Sequence, residues 1–358
     1  MSIMNIRSSL HDYSVHFQQD ASFMEDLKQR FPLRVFVIDE RVWQLHRDGI
    51  LGSLTDDEVF VFPVSENRKN LESVVQLYDV LMERSAKRNM TLISIGGGIV
   101  QDVTGFVAST IYRGIKWVFI PTTLLAQADS CIGSKTSLNY KQFKNLVGSF
   151  YPPNEIHVFA AFLFTLAEED YFSGLGEVVK LHIMGGREKA EHLATLLPGI
   201  KEHDAAALME AIRASLSIKL EYIADDEFDS GRRNLLNYGH CFGHALESVS
   251  KYAIPHGQAV VVGMLFANLA ARSRGLLSAE LENKIAEMLL MPTLHAVVRN
   301  EYLDKEALLE AMKHDKKRIG DELVIVVMKE DYSFEKLVDF TTQEALRCIT
   351  VLGERLCC

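Results

Sequence analysis

Short apolar runs alternate with helix-forming patterns through the first half of this 358-residue chain, and that order limits the fold more than any other feature. Helical spacing of apolar residues extends from 71 to 87 and from about 101 to 111. Strands that alternate with helices build a largely parallel sheet. We therefore predict an α/β domain in residues 1–167. Its buried strands are predicted at 33–38, 59–62, 91–95 and 117–120.

Helical patterns dominate the second half. Only 323–328 has the pattern of a strand, and no repeat, low-complexity tract or Pro/Gly linker separates the two halves. We therefore predict a mainly helical domain in residues 168–358 that packs on the first, with a ligand cleft between them. Its long helices are predicted at 205–224, 241–251, 260–274 and 278–290.

Composition and charge exclude several classes of partner. The formal net charge of −10 argues against nucleic acid, which recruits basic surfaces, although a local cluster of Lys and Arg can still bind a small anion. The five cysteines form no CxxC pair. The sequence shows neither a signal peptide nor an apolar run of the roughly 18–20 residues that cross a membrane. These features predict a reduced, cytoplasmic protein without a membrane segment.

Two motifs follow predicted strands, at the sheet edge where α/β proteins bind ligands. Gly96-Gly-Gly-Ile-Val-Gln-Asp102 places glycines where a strand turns into a helix, so that backbone N–H groups can approach a phosphate. The motif lacks the GxGxxG spacing, and a tight turn explains it equally well. Thr122 and Thr123 after the next strand either contact a ligand or cap a helix. Asp102 likewise either caps a helix or binds a ribose or nicotinamide group.

A polar segment from Asp129 to Asn145 carries Lys135, Lys141 and Lys144 between apolar stretches. Ammonium groups in a turn-rich segment near a cofactor cleft suit an anionic substrate. A solvated face is the commoner setting for surface lysines, and the segment alone favours that interpretation.

Imidazoles and one carboxylate form the strongest local signal. His240 and His244 lie four residues apart on one face of a predicted helix, His256 follows twelve residues later, and Glu177 precedes Lys180 by three residues. Imidazole and carboxylate are ligands of Zn²⁺, and a catalytic zinc keeps three protein ligands and one open position. Either His240 and His244 both bind the metal, without the glutamate base of HExxH enzymes, or His240 and His256 bind it and His244 faces a substrate. The spacing does not decide between these sets.

Arg232 and Arg233 precede these histidines and follow the acidic run 225–229. A guanidinium near a metal cleft suits recognition of a carboxylate or phosphate. An ion pair with the acidic run is the alternative, and at a surface it would contribute little stability.

Together, these segments resemble the 3-dehydroquinate synthase family of sugar-phosphate cyclases. The similarity extends from about Asp39 to Met328 and is densest over 96–102, 113–150, 175–180 and 233–247, followed by His256-Gly257. The resemblance implies a Rossmann-like α/β domain that binds NAD, packed on a helical domain that binds Zn²⁺ or Co²⁺. It also implies a homodimer that acts on a small sugar phosphate.

The resemblance assigns roles to individual residues. The metal ligands would be Glu177, His240 and His256, with His244 turned toward the substrate. The NAD-binding residues would be Asp39, Glu66, Lys69, Gly97, Gly98, Asp102, Thr122 and Thr123. Arg113 would reach across the dimer into the neighbouring site. The residues that would bind substrate or take part in catalysis are Asp129, Lys135, Lys144, Asn145, Lys180, Lys219, Arg233, Asn237, His244 and Lys316 or Lys317.

The implied reaction converts 3-deoxy-arabino-heptulosonate 7-phosphate into 3-dehydroquinate and phosphate. A transient hydride transfer to NAD⁺ makes a ketone, phosphate leaves by β-elimination, the hydride returns, and an intramolecular aldol step closes the ring. Lys135, Asn145 and His244 would hold the phosphate. Arg233 and Lys219 would bind the substrate carboxylate, which sedoheptulose 7-phosphate and glucose 6-phosphate lack, so the pair favours the heptulosonate.

Several positions depart from the common pattern of the family. Gly-Ser-Lys-Thr-Ser stands at 133–137 where Gly-Gly-Lys-Thr-Gly is usual, Asp229 and Gln258 replace glutamate, and Cys241 replaces threonine. Ser134 and Ser137 flank Lys135, so the substrate pocket could be altered. The alternatives are a cyclase of another sugar phosphate, an NAD-dependent polyol dehydrogenase of the same fold, and an inactive binding subunit.

Overall fold

The computed structural model describes residues 2–141, 143–313 and 322–356, and the chain divides into two compact units. The first unit comprises Met1–Leu166 and Ile223–Phe228, and the second comprises Ala167–Tyr222 and Asp229–Cys358. The sequence predicts a single boundary after residue 167, which does not include the return of Ile223–Phe228 to the first unit.

The first unit combines a parallel sheet with helices. Its helices are α1 (Phe23–Arg30), α2 (Glu40–His46), α3 (Leu71–Glu83) and α4 (Gly98–Thr110), with 3₁₀ turns at Glu66–Arg68, Ile111–Arg113 and Ala160–Thr165 and a π turn at Ala126–Ser130. Its strands are β1 (Ser2–Ile6), β2 (Tyr13–Phe17), β3 (Arg34–Asp39), β4 (Val59–Phe62), β5 (Thr91–Gly96), β6 (Lys116–Pro121), β7 (Lys135–Tyr140), β8 (Phe143–Phe150) and β9 (Glu155–Val158).

Seven of these strands form one sheet in the order β1-β2-β9-β6-β5-β3-β4. The pairs from β2 to β4 are parallel, and only β1 lies antiparallel, beside β2. Strand β5 is buried along its whole length, as expected for a parallel strand with both faces covered. The adjacent strands β3, β5 and β6 end at one edge, so the residues that follow them lie side by side.

All four strands predicted for the first unit are present, with ends within one residue of the prediction. The helix expected from about residue 101 begins at Gly98, because Gly97 is its N-cap and the glycine motif itself enters the helix. The prediction missed the hairpin of β7 and β8, which pair antiparallel as a separate sheet. Strand β8 is largely exposed and therefore lacks the apolar run that marks a buried strand.

The second unit is mainly helical. A 3₁₀ helix spans Arg232–Asn237, another spans Asn300–Leu303, and a π turn spans Ala286–Leu290. The α-helices are α5 (Glu168–Met184), α6 (Arg187–Lys201), α7 (Ala205–Ile223), α8 (His240–Val249), α9 (His256–Ser273), α10 (Ala279–Ile285), α11 (Met291–Thr293), α12 (Lys305–Lys313) and α13 (Thr342–Leu356). The strands are β10 (Leu323–Met328) and β11 (Phe334–Phe340), which pair antiparallel.

Helix α9 lies at the centre of this unit, since every residue from Gly257 to Ala271 is buried. The expectation of a single strand here was wrong, because β11 accompanies the predicted β10. Strand β11 buries only Leu337 and Phe340, so its sequence carries no clear alternation. Within the described residues, no helix is both long and apolar enough to cross a membrane.

Glu155 at the start of β9 is held by two neighbouring side chains. Both nitrogens of the Arg30 fork donate to its carboxylate, at 2.7 and 2.8 Å, and His157 Nε2 lies 3.0 Å from Oε2. Burial opposes ionisation, but the bonds to His157 and Arg30 outweigh it and lower the pKa of Glu155 to about 2.

We expect Glu155→Gln to lower the free energy of unfolding by on the order of 2 kcal/mol at pH 7. The folded pKa lies below the ordinary value of 4.5, so this stabilisation is present above pH 4.5 and is lost as the pH falls toward 2. Urea unfolding of both proteins from pH 7 to pH 3 should show the difference shrinking. Glu191→Gln, which removes an exposed partner of Lys284, is the control with a small effect. A difference that stays constant with pH would contradict the assignment.

Candidate metal centre and nucleotide-binding edge

Two helices of the second unit approach to backbone contact at a pair of glycines. A Cβ at Gly176 in α5 would lie 2.2 Å from the carbonyl oxygen of Gly257, and a Cβ at Gly257 in α9 would lie 1.8 Å from that of Ser173. The Gly257 N–H also donates to the Ser173 hydroxyl at 3.0 Å. Only glycine permits this approach. It brings Glu177, which follows Gly176, alongside His256, which precedes Gly257.

Glu177 Oε1 lies 3.1 Å from His256 Nε2 and 3.5 Å from His240 Nε2. Ligand atoms on a tetrahedral zinc, each about 2.0–2.1 Å from the ion, lie about 3.3 Å from one another. The carboxylate oxygen is therefore spaced from each of the two imidazole nitrogens as two ligands of a single divalent ion are.

His244 lies one turn after His240 in α8 and is the more exposed of the two. One candidate ligand atom from each of His240, His244 and His256 lies within 4.8 Å of the others. The geometry thus brings together all four residues that the sequence singles out. In the set of Glu177, His240 and His256, the carboxylate oxygen lies within 3.5 Å of both imidazole nitrogens. The donor atoms of the three histidines lie within 4.8 Å of one another.

The outward nitrogens of the candidate ligands are oriented by hydrogen bonds. His256 Nδ1 lies 3.0 Å from Glu247 Oε2, and His240 Nδ1 lies 3.1 Å from the Tyr238 carbonyl oxygen. Such bonds fix the ring so that Nε2 faces the ion. Glu247 is a positioning residue to which the sequence pattern assigned no role. Its position seven residues after His240 places it on the same helix face, which was the available signal.

Charges in the cluster favour an ionised carboxylate. Burial raises the pKa of Glu177, but Lys180, whose Nζ lies 2.5 Å from Oε2, and His240 hold it well below its usual range. Burial lowers the pKa of His256, but its bonds to Glu177 and Glu247 raise it to about 10. A metal ligand must be a neutral imidazole, so metal binding at pH 7 would displace a proton from His256.

A small pocket opens beside the cluster. Asn237, His240, Cys241 and His244 line it from one side, and Lys336 lines it from the β10–β11 hairpin together with Val324 and Val326. Lys336 pairs with Val326 across the hairpin, so both side chains share one face. Lys336 is not among the residues predicted from the sequence, because it lies on β11, the strand that was not predicted.

Lys180, Lys219 and Arg233 are buried cations, with 3%, 6% and 5% of their surface exposed. Lys180 lies in α5, Lys219 in α7 and Arg233 in the 3₁₀ helix that ends at Asn237. Burial of a cation is unfavourable unless anionic or polar groups surround it. Lys180 has such a partner in Glu177, and all three cations lie in the unit that contains the histidines.

In the first unit, the predicted nucleotide residues gather at the edge where β3, β5 and β6 end. Register pairs Ile38 with Ile95 and Gly96 with Pro121, so Asp39, the glycine motif and the two threonines follow adjacent strands. Asp39 caps α2 by accepting from Arg41 and Val42. A Cβ at Gly98 would have no neighbouring atom within 4 Å, so the start of α4 is open to a ligand.

A polar network lies beside this edge. Lys69 Nζ is 2.6 Å from Asp102 Oδ2 and donates to Asn145 Oδ1 at 2.6 Å. The Ser137 hydroxyl lies 3.0 Å from Asp102 Oδ2 and 2.9 Å from Asn145 Oδ1, so its one proton is shared between the two acceptors. Asp102 therefore does not cap α4 but links Lys69 to Ser137. A glycine at 137 would remove both side-chain bonds, so this departure from the family pattern adds a link to the network.

The other predicted residues of the first unit are more dispersed. Glu66 accepts from Asn139 at 2.7 Å and lies 4.0 Å from Lys144 Nζ. Asp129 lies in the π turn, Lys135 begins β7, and Arg113 is exposed with φ +63°. Lys316 and Lys317 lie outside the described residues.

Comparisons with known proteins cover both units. Residues 59–173 match the family model of the 3-dehydroquinate synthase N-terminal domain, and residues 174–318 match that of the C-terminal domain. A 3-dehydroquinate synthase of Clostridium tetani is 38% identical over 91% of this chain and 87% of its own length. One of Dehalococcoides mccartyi is 38% identical over 92% and 93%.

Two solved structures share the fold. The 2-epi-5-epi-valiolone synthase of Streptomyces hygroscopicus subsp. jinggangensis 5008, solved with NAD⁺ and Zn²⁺, has a TM-score of 0.83 at 24% identity and covers 96% of this chain and 97% of its own. A 2-deoxy-scyllo-inosose synthase, solved with carbaglucose-6-phosphate, NAD⁺ and Co²⁺, has a TM-score of 0.82 at 20% identity, over 97% and 99%. Both structures confirm the predicted fold class, a Rossmann-like α/β part followed by a mainly helical part.

Zinc content distinguishes the two candidate ligand sets. We expect Glu177→Gln and His256→Ala to lose bound zinc and His244→Ala to retain about one ion per chain, because three ligands suffice. Glu247→Gln should weaken zinc affinity about 10- to 100-fold by releasing the His256 ring. Elemental analysis after dialysis measures this.

His192→Ala is the matched control, because His192 also pairs with a glutamate, Glu210, but lies outside the cluster. Loss of zinc from His244→Ala, together with retention in Glu177→Gln, would instead support the set of three histidines.

Proposed function

The chain belongs to the 3-dehydroquinate synthase family, and from this premise we propose that it converts 3-deoxy-arabino-heptulosonate 7-phosphate into 3-dehydroquinate and phosphate. The observation that carries the choice of substrate is the burial of Lys219 and Arg233 in the same unit as the histidine cluster. A buried guanidinium suits a substrate carboxylate, which it binds through two parallel bonds. The proposed setting is the shikimate pathway of the cytoplasm.

Glu177, His240 and His256 are proposed to hold Zn²⁺ or Co²⁺. One carboxylate and two imidazoles suit either ion, and the 3.1 and 3.5 Å separations support this set. When bound, such an ion polarises a substrate hydroxyl. Lys180 keeps Glu177 ionised, and Glu247 keeps the His256 ring oriented. His244 is then available to contact the substrate from the exposed face of α8.

NAD is proposed to lie along the edge formed by β3, β5 and β6. Gly97 and Gly98 leave room for backbone N–H groups at the start of α4 to bind phosphate. When bound, NAD accepts a hydride and returns it. Within the network, Lys69 holds the Asp102 carboxylate in place. The remaining proposed contacts are Asp39, Glu66, Thr122 and Thr123.

The other roles are also proposals. Lys135 and Asn145 are assigned to the leaving phosphate, with His244 as a further contact. Asn145 is oriented for such a task, since Lys69 and Ser137 both donate to its Oδ1. Arg113, exposed on a turn with positive φ, is assigned to the neighbouring subunit's site in a homodimer. The remaining proposed substrate contacts are Asp129, Lys144, Lys180, Asn237 and Lys316 or Lys317.

A phosphate-release assay tests the proposed reaction. With the heptulosonate phosphate, catalytic NAD and Zn²⁺, we expect one phosphate released per dehydroquinate formed, and no net absorbance change from NADH, because the cofactor is regenerated in each turnover. Sedoheptulose 7-phosphate and glucose 6-phosphate serve as controls without a carboxylate. Phosphate release from one of these alone would replace the proposed substrate but keep the cyclase mechanism. Stoichiometric NADH from a polyol would indicate a dehydrogenase.

Arg233→Gln should lower kcat/KM for the heptulosonate by about 100-fold, since a charge-assisted hydrogen bond to the substrate carboxylate contributes about 1.5–3 kcal/mol. Steady-state kinetics, with the fold checked by circular dichroism, measure this. Arg299→Gln removes an exposed arginine near Glu301 and should leave kcat/KM unchanged. Equal loss toward a sugar phosphate without a carboxylate would refute the role of Arg233.

A further inference from the structure

A second pocket in the second unit shares no lining residue with the pocket beside the histidines. It has a volume of about 360 Å³, within the range of sites for small molecules. The ends of α5 and α7, the 3₁₀ helix Arg232–Asn237 and the turn between β10 and β11 enclose it. None of the roles assigned above uses this space.

Its main charge is the Arg232 guanidinium. The guanidinium lies over the Tyr222 ring, 4.8 Å from the centroid, and makes one long bond of 3.4 Å to the Glu221 carbonyl oxygen. In the described part of the chain, no carboxylate lies within ion-pair distance of it. An arginine lining a cavity in this way can bind an anion through two parallel bonds.

Aromatic rings form the walls. Tyr222 and Tyr332 each have only 6% of their surface exposed, and Phe334 lies beside them in the lining. The Tyr332 hydroxyl is buried and has no hydrogen-bond partner among the described residues. An unpartnered buried hydroxyl is costly, so Tyr332 keeps an unmet hydrogen-bonding group in the wall of the pocket.

A helix begins at the rim. Gly186 lines the pocket and is the N-cap of the 15-residue helix α6, with φ +95° and no side-chain cap. The first N–H groups of α6 therefore lack a capping side chain. Such a helix start attracts negative charge. The start of α6 therefore adds to the attraction that Arg232 exerts on an anion in the pocket.

One carboxylate limits the charge of the ligand. Asp331 also lines the pocket, and its Oδ1 accepts from the Ser333 N–H at 3.0 Å and the Ser333 hydroxyl at 2.6 Å. Its charge repels a dianion such as phosphate more strongly than it repels a single carboxylate, which can still bond Arg232. We propose that this pocket binds a small monoanion with an aromatic body, an aryl carboxylate.

The pocket also touches elements that carry the proposed substrate residues. Met184 lies one turn beyond Lys180 in α5, Tyr222 lies three residues beyond Lys219 in α7, and its hydroxyl donates to the Met184 carbonyl oxygen at 3.0 Å. In the 3₁₀ helix, Arg232 and Leu235 face this pocket, whereas Asn234 and Asn237 line the one beside the histidines. A ligand that holds the ends of α5 and α7 together should therefore favour substrate binding, because Lys180 and Lys219 lie on the same two helices. This coupling rests on the proposed function, whereas the binding itself does not.

Phenylacetate is the probe, and phenylacetamide is its neutral counterpart. Calorimetric titration of the metal-loaded protein without substrate should show one phenylacetate per chain. Binding should be about tenfold weaker in Arg232→Met and for the amide, because the charge-assisted bond is lost. Arg299→Met is the matched control, since Arg299 also lies over a tyrosine ring, that of Tyr302, outside the pocket. His244→Ala should bind as the wild type does.

Tyr332→Phe, which removes only the hydroxyl, should weaken binding less than Arg232→Met does. Phenylacetate at saturation should lower KM by about threefold in the wild type and not in Arg232→Met. No saturable binding, equal binding by Arg232→Met, or loss of binding in His244→Ala would overturn the site. Binding without any change in KM of an active enzyme would overturn the coupling, and an inactive enzyme that binds phenylacetate would leave the site intact while refuting the proposed function.

Discussion

The backbone contact between α5 and α9 is the constraint on which the rest of the metal centre depends. At Gly176 and Gly257 the helices are so close that a single added carbon would overlap a carbonyl oxygen. This contact places the Glu177 carboxylate against the His256 imidazole. Helix α9 can serve as that support because it is buried almost from end to end.

The centre then depends on a balance of charge. A buried carboxylate beside two imidazoles would tend to take up a proton, but Lys180 holds Glu177 ionised. Glu247 supplies a second carboxylate to His256 from the far side of the ring. Removal of one of these charged residues would leave its partner buried without a compensating charge. The resulting loss of stability is larger than the stability that the ion pair itself contributes. The first unit follows the same rule, because Lys69 compensates the charge of Asp102, and the N–H and the hydroxyl of Ser137 each donate a bond to it.

Much of the fold could be predicted from the sequence because buried parallel strands and long helices leave strong periodic signals. Strands β3 to β6 are apolar on both faces, and α7 to α9 repeat their apolar residues over several turns. The prediction failed at β8 and β11, whose residues are mostly exposed, and it also did not include the short strands β1, β2, β7 and β9. Lys336 was missed for the same reason. The return of Ile223–Phe228 to the first unit leaves no local trace, because it follows directly from a continuous helical pattern.

The sequence by itself determined the residue types of the candidate site. Imidazoles at 240, 244 and 256 and a carboxylate at 177 indicate a metal, and the lysines and arginines suit an anionic ligand, because these are properties of side chains and their spacing. Only the tertiary structure decided which donor atoms meet, and it placed Glu177 within 3.5 Å of both His240 and His256. It also showed that Asp102 binds Lys69 instead of capping a helix. The reason is physical, since distances between residues far apart in the chain depend on how helices and strands pack, and no local pattern encodes them.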